Sequence, residues 1–269
     1  MLSKALAAIF PFFSILAPVC STSSLSELTV FASLMQENPY RPINKDESST
    51  STLEPREIHF NNSVRVMSFN ILSDGDEGEH AWALRQSAVV SMIRFHHADL
   101  IGLQEPSHAQ LDDIKKALPE FEVFNGIYNP ILLRKSRFEM IFSGSFYLSS
   151  TPDQPSTGWD AKFPRAVSWV HLKDMKLGQQ FLFFNTHFDY HGKNARDESA
   201  SLLKEKVREI ARGLPYVIAG DFNLFPNLEG ENTYQILTEI FRDAQNLSEF
   251  PHHGPTAVSY THLTLPTKA

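Results

Sequence analysis

Cysteine is almost absent. Cys20 is the single one in 269 residues, which excludes a disulfide framework within one chain and any multi-cysteine zinc site. A metal would have to sit on carboxylates, amides and histidines. Charge is also sparse, at 20%, and the basic sign is the scarcer one, with 24 Lys and Arg against 31 Asp and Glu. A net charge of −7 excludes a surface that grips nucleic acid by bulk attraction, so a polyanion must be held locally. No uninterrupted apolar run reaches the about 20 residues usual for a membrane span, and no internal repeat is visible. What remains, 42% hydrophobic and 12% aromatic residues, is globular composition with room for one sizeable domain.

The two ends read as something other than fold. Residues 1–20, MLSKALAAIFPFFSILAPVC, place Lys4 before an apolar stretch from Ala5 to Val19 that Pro11 interrupts, followed by small and polar residues. That is the shape of a secretory signal, with Val19 and Ser21 before a cut preceding Thr22. Residues 1–21 are therefore read as a signal peptide, and the protein as secreted or periplasmic. An acylated Cys20 would need a small residue before it and finds Val19, so a lipoprotein or membrane anchor is the weaker reading. Residues 22–62 carry prolines and a Ser/Thr cluster with no sustained apolar period, which reads as a flexible lead-in. At the far end Val258–Thr267, VSYTHLTLPT, matches the translation of a common sequencing-library adapter. Residues 257–269 are read as a translated artefact rather than a threonine-rich edge strand.

Residues 63–256 form the expected domain. Ser63–Leu72, with Val64, Val66, Phe69 and Ile71 alternating, reads as a strand; apolar residues at helical spacing in Trp82–Phe95 read as a helix; and Asp99–Gln104 reads as a short buried strand. A helix over Ala109–Leu118 and strands near Phe121–Phe124, Pro130–Leu133 and Ser145–Leu148 follow. Val167–Leu172 and Gln180–Asn185 flank a turn and read as a hairpin. A helix over Ala195–Gly213 is expected to carry Asp197 and Glu198 in its first turn, then a strand at Tyr216–Ala219 and a helix over Thr233–Phe241. Hairpins mixed with crossover helices predict an α/β sandwich on mixed sheets.

Polar residues recur directly after apolar strands: Asn70 after RVMSF, Glu105 after LIGLQ, His187 after FLFFNT, and Asp221 with Asn223 after YVIAG. One such residue alone is ordinarily a strand cap or turn former. Together, two carboxylates and two amides offer hard oxygen ligands suited to Mg²⁺ or Mn²⁺, and a histidine offers a phosphate donor or proton carrier.

The strings MSFNIL, LQEP, FPRAVSW, FFNTHFD and VIAGDFNLFP resemble the motifs of the endonuclease/exonuclease/phosphatase superfamily, with its DNase-I-like fold. The order QE, NTH, GDFN carries the resemblance, which runs from Ser63 to Thr256. It implies a four-layer α/β (α+β) sandwich of two mixed β-sheets flanked by helices, with the last strands missing. It also implies that Glu105 holds a divalent metal, Mg²⁺ or Mn²⁺, with Asn70 beside it as ligand or support. Asp221 and Asn223 would orient the nucleophilic water and phosphate, and His187 would hydrogen-bond the phosphate. Arg165 matches a phosphate-contacting position, although an arginine lying over Trp169 is the plain structural alternative. Asn129 and the 157–165 loop would shape the substrate side, with Trp159 packing or stacking on a base or sugar. His96, His97 and His191 read as surface residues.

The resemblance also implies a later Asp and a terminal Ser-Asp-His string. This sequence has neither, and His252, His253 and His262 lack the context to replace them. The expected function is metal-dependent phosphoester hydrolysis of a phosphodiesterase or nuclease type, by in-line water attack at a Mg²⁺-bound phosphate, with this chain itself inactive through truncation. Its substrate would be nucleic acid, a nucleotide or a phospholipid head group, with no protein partner. Sphingomyelinase-like or inositol-phosphate phosphatase activity, or a binding module that only keeps the fold, are the alternatives.

Overall fold

The computed structural model describes residues 15–18, 30–31, 64–75, 78–224 and 232–247. The rest of the expected leader and lead-in, Cys20, the segment 257–269 and His252, His253 and His262 lie outside the described residues. The elements in chain order are β1 (Ile15–Pro18), β2 (Val30–Phe31), β3 (Val64–Asn70), a 3₁₀ turn (Gly78–His80), α1 (Trp82–Phe95), β4 (Leu100–Gln104), α2 (His108–Ala117), β5 (Phe121–Phe124), β6 (Ile131–Arg134), β7 (Phe138–Tyr147), β8 (Ala166–Asp174), β9 (Gln180–His187), α3 (Lys193–Ala211), β10 (Tyr216–Asp221), α4 (Thr233–Thr238), β11 (Phe241–Asp243) and α5 (Ala244–Leu247).

Two mixed sheets result, one ordered β11-β1-β10-β9-β8-β7 and the other β2-β3-β4-β6-β5. Alternation along the strands decides which residues meet between them. Val64, Val66, Leu100, Ile131 and Leu133 of the second sheet interlock with Val170, Leu172, Phe181, Phe183, Val217 and Ala219 of the first. The opposite faces are covered by helices. Val89, Val90 and Ile93 of α1 and Leu111 and Ile114 of α2 cover Met67, Phe69, Ile101, Leu103 and Leu132. Ala200, Leu203, Val207 and Ala211 of α3, with Leu237 of α4, cover Val167, Leu182, Phe184 and Ile218. Because β3, β4, β9 and β10 are buried on both faces, they read as near-continuous apolar runs. The four-layer α/β sandwich is the fold the motifs implied.

Local signals explain most element ends. Ser107 starts α2 with a reciprocal capping box to Gln110. Arg212 at φ 46 and Gly213 at φ 90 close α3 through left-handed residues. Three details differ from the sequence reading. The helix α3 begins at Lys193 rather than Ala195, so its first turn contains no acid; the carboxylate of Asp160 accepts from the backbone N–H groups of Asn194 and Ala195 instead. Strand β7 starts seven residues before Ser145, and a bulge between Met140 and Phe142 had blurred its alternation. Phe241 belongs to β11 rather than to the helix α4. Strand β1, inside the expected leader, pairs antiparallel with β10 and β11.

Candidate active site

Two parallel strand pairs, one in each sheet, build the site. In one, Asn70 of β3 stands opposite Gln104 of β4, which places Glu105 one residue beyond. In the other, His187 of β9 stands opposite Asp221 of β10. Parallel neighbours end on the same side, so both sheets present their carboxyl ends at one edge of the sandwich. The chain then turns abruptly, with Leu72, Glu105 and Asn223 all at positive φ, between 48 and 62°. Such conformations cost about 1–3 kcal/mol each for residues other than glycine and collect at functional sites.

The sheets meet chemically at Asn70. Its Nδ2 donates to Glu105 Oε1 at 2.9 Å and to Asp221 Oδ2 at 3.0 Å, while its Oδ1 accepts from the backbone N–H of Leu72 at 3.0 Å. Asp221 is further fixed by the backbone N–H of Asn223 on Oδ1. The amide nitrogen of Asn70, rather than its oxygen, therefore faces the carboxylates and holds them together.

His187 lies beside this pair, with Nε2 at 3.6 Å from Asp221 Oδ2 and 3.9 Å from Glu105 Oε1. Its Nδ1 is 3.1 Å from Arg165 Nη1. A guanidinium and an amide NH₂ only donate, and Arg165 Nη1 and Asn223 Nδ2 face the two ring nitrogens at 3.1 Å each, so the neutral ring accepts from one of the two and the tautomer follows from which. Burial pushes the imidazole pKa below its usual 6.5, and Arg165 adds to that lowering against the opposing pull of Asp221 and Glu105. Asn223 Nδ2 donates to the Phe188 carbonyl and lies 3.1 Å from Nε2.

Arg165 is held in turn by Asp189, whose Oδ2 is 3.5 Å from its Nε. Asp189 is buried and accepts from the backbone N–H groups of His191, Gly192 and Phe163. Burial works to raise its pKa, but those backbone donors outweigh it and hold the carboxyl below the usual range. Beneath the site Asn185 stitches the sheets. Its Nδ2 donates to the carbonyls of Leu103 and Pro130 and its Oδ1 accepts from Gln104 Nε2, which also donates to Ser68 Oγ.

The structure thus brings together Asn70, Glu105, His187, Asp221, Asn223 and Arg165. Arg165 touches His187 and Asp189, the site-facing alternative of its two sequence readings. Asn129 is not brought to the site surface: it is buried, and its amide donates to the Ala166 carbonyl, bracing the start of β8 beside Arg165. Trp159 is exposed, at positive φ, in the loop before Arg165. Asp189, Asn185 and Gln104 escaped the sequence reading although FFNTHFD and LQEP contain them, because their partners are distant in sequence. No helix among the described residues is long and apolar enough to cross a membrane.

Comparison with known proteins gives the same picture. An endonuclease/exonuclease/phosphatase family protein from Bacteroides thetaiotaomicron is 36% identical, with a TM-score of 0.60 over 65% of this chain and 67% of that one. A mannosyl-6-phosphatase from the same bacterium is also 36% identical, with a TM-score of 0.60 over 65% of this chain and 69% of that one. The protein L388 of Acanthamoeba polyphaga mimivirus is 25% identical over 208 residues, 66% of this chain and 75% of that protein. The model of the endonuclease/exonuclease/phosphatase family matches residues 67–235, a span that contains every residue of the site just described, and the chain belongs to that family.

Proposed function

We propose that the site hydrolyses phosphoesters with the help of a divalent cation, Mg²⁺ or Mn²⁺. The observation that carries this reading is the single amide of Asn70 joining Glu105 and Asp221 from opposite sheets. The donor set fits a hard cation. Glu105 is partly open to solvent, with 34% of its side-chain surface exposed, and Asp221 stands beside it. Among the described residues no cluster of three or more His, Cys, Asp or Glu side chains forms a complete cage. One or two carboxylates completed by water and substrate phosphate are how Mg²⁺ is usually held. Glu105, with Asp221 in reach, would hold the ion, and Asn70 would orient the carboxylates. Bound there, the cation would offset charge on the phosphoryl and leaving oxygens.

The chain's own groups do the rest. Asp221 accepts a hydrogen bond from the attacking water and aims it in line with the leaving oxygen. His187 and the amide of Asn223 donate to phosphoryl oxygens, and Arg165 adds positive charge from behind His187. The mannosyl-6-phosphatase relative and the net charge of −7 support a small phosphoester over long nucleic acid. Residues 1–21 are proposed to direct export; their removal would take β1 from between β10 and β11, and an intact mass showing 1–21 retained on the mature protein would refute the proposal.

The test uses p-nitrophenyl phosphate and bis(p-nitrophenyl) phosphate with Mg²⁺. Nitrophenolate departs without protonation, so these esters report on the described residues even without the later Asp and His that the resemblance implies. Release that depends on Mg²⁺ and is lost in Glu105→Gln is expected. Metal and phosphate binding without any release would favour the binding-module reading.

A further inference from the structure

Lys162 is held in an unusual way for an exposed lysine. Its Nζ is 2.7 Å from the hydroxyl of Tyr190, and it lies over two rings, 5.6 Å from the centroid of Phe163 and 5.4 Å from that of Tyr190. The rings stand side by side, 6.3 Å apart and tilted by 37°, both substantially exposed. They form a wall that fixes the ammonium rather than a slot that a planar group could enter. Most of the side-chain entropy that a flexible lysine surrenders on binding an anion is thereby already spent. The hydrogen bond from the ammonium to Tyr190 is the first of the influences that keep the amine protonated.

The segment carrying this wall is fastened at both sides. Asp160 accepts from the first amides of α3, and a Cβ at Gly192 would meet Asp160, so the two run in close contact. Phe163 donates its backbone N–H to Asp189, the carboxylate that also pairs with Arg165. Lys162 is therefore three residues from Arg165, on a segment bound to the carboxylate that pairs with that arginine, and its partner Tyr190 follows His187 by three residues. The neighbouring acids are occupied, Asp160 by amides and Asp189 by amides and Arg165, so in a chain of net charge −7 this segment presents a fixed positive charge.

We propose that Lys162, braced by Phe163 and Tyr190, is a subsite for a second anionic group on the substrate, so that the site takes small phosphoesters bearing a further phosphate. The inference rests on the hydrolytic reading and deepens it. The ammonium receives the distal phosphate while the scissile phosphate lies between His187, Asn223 and the carboxylates.

The experiment compares glucose 6-phosphate with glucose 1,6-bisphosphate in the full chain and in Lys162→Met, Lys162→Arg and Tyr190→Phe. KM and kcat are measured with Mg²⁺, and Kd is measured by calorimetry in an Asp221→Asn background, where affinity is read whether or not turnover occurs. Lys162→Met should raise KM and Kd for the bisphosphate by about threefold to tenfold, the size of one partly exposed charge contact. The monophosphate and kcat should be unaffected. Lys162→Arg should retain the preference, Tyr190→Phe should lose part of it, and salt should weaken it. Equal affinity of the unsubstituted protein for the two esters, or an equal change on both, would overturn the subsite. A Lys162-dependent preference in Kd in a protein that releases no nitrophenolate from p-nitrophenyl phosphate would leave the subsite standing and remove the hydrolytic reading instead.

Discussion

Asn185 accepts a hydrogen bond from Gln104 at 2.6 Å, one residue before Glu105 and two before His187. This contact crosses the gap between the sheets directly beneath the site, where a Cβ on Gly102 would come within 2.5 Å of the Asn185 amide. Substituting Asn185 with Ala strands the carbonyl of Leu103 and takes one partner from the Pro130 carbonyl, which still accepts from the Leu103 N–H, and one from the Gln104 amide, which still donates to Ser68 and Gly102. A stranded buried group costs about 1–3 kcal/mol. Asn185→Ala should lower Tm by several degrees, since about 1 kcal/mol moves Tm by roughly 2–4 °C at this size. An unchanged Tm in thermal denaturation would show that the sheets are held in register by apolar packing alone.

The carboxylate pair can be tested through the residue that joins it. Asn70→Ala leaves Glu105 and Asp221 in place but removes their shared donor. Loss of an orienting partner of this kind costs about 10–100-fold in metal affinity or activity. Glu105→Gln, which removes the charge itself, should cost more. Mg²⁺ titrations of the two variants in parallel check the ranking, and the reverse order would make Asn70 rather than Glu105 the principal holder.

How far the sequence reveals this site depends on the range over which each residue acts. Glu105, His187 and Asp221 announce themselves because a polar residue after a buried apolar strand is a local signal, and parallel pairing carries it to one edge. The layering was legible too, since helical spacing in α1 and double-sided burial in β9 and β10 are written in short windows. Asn129 was misplaced because a buried amide bracing a carbonyl and an exposed one meeting substrate look alike in sequence. Asp189 acts through Arg165 and Asp160 through α3, 34 residues away, and no local pattern shows either. The start of β7 was obscured by its bulge and by exposed residues along an edge strand, where alternation fades.

The protonation of His187 gives a pH prediction. Its folded pKa lies below 6.5, so above the ordinary value the ring is neutral in both folded and unfolded chains and costs nothing. As pH falls below about 6.5 the unfolded chain takes up the proton first, and stability declines until the folded pKa is reached. In metal-free protein, NMR titration of the ring should show Arg165→Met raising this pKa and Asp221→Asn lowering it. Shifts in the same direction would contradict the arrangement of charges around the ring.

Asp189 should behave as a positioning residue. Asp189→Asn keeps oxygen for the His191 and Gly192 amides but gives up the charge that holds Arg165. KM should rise by about tenfold, as for one partly buried charge contact, with a smaller change in kcat. The His187 pKa should also move, because the guanidinium is no longer fixed against Nδ1. A loss of Tm with KM and the His187 titration unaltered would make Asp189 purely structural.

The last prediction concerns the loop before β8. Helix α3 has no acid in its own first turn and no side-chain cap from Gly192, so the carboxylate of Asp160 is what satisfies Asn194 and Ala195 and complements the positive end of the helix dipole. One side chain thereby caps the helix and pins the loop that carries Trp159, Lys162 and Phe163. Asp160→Ala should cost about 1 kcal/mol, typical of a lost N-cap, and should free the loop while leaving the carboxylate edge intact. Hydrogen exchange should accelerate at 159–163 and at 193–195 together, with Asn70, Glu105 and Asp221 undisturbed and the Mg²⁺ titration unchanged. Acceleration at the helix terminus alone would show that the loop is held by Asp189 and its own turns, and that Asp160 serves only α3.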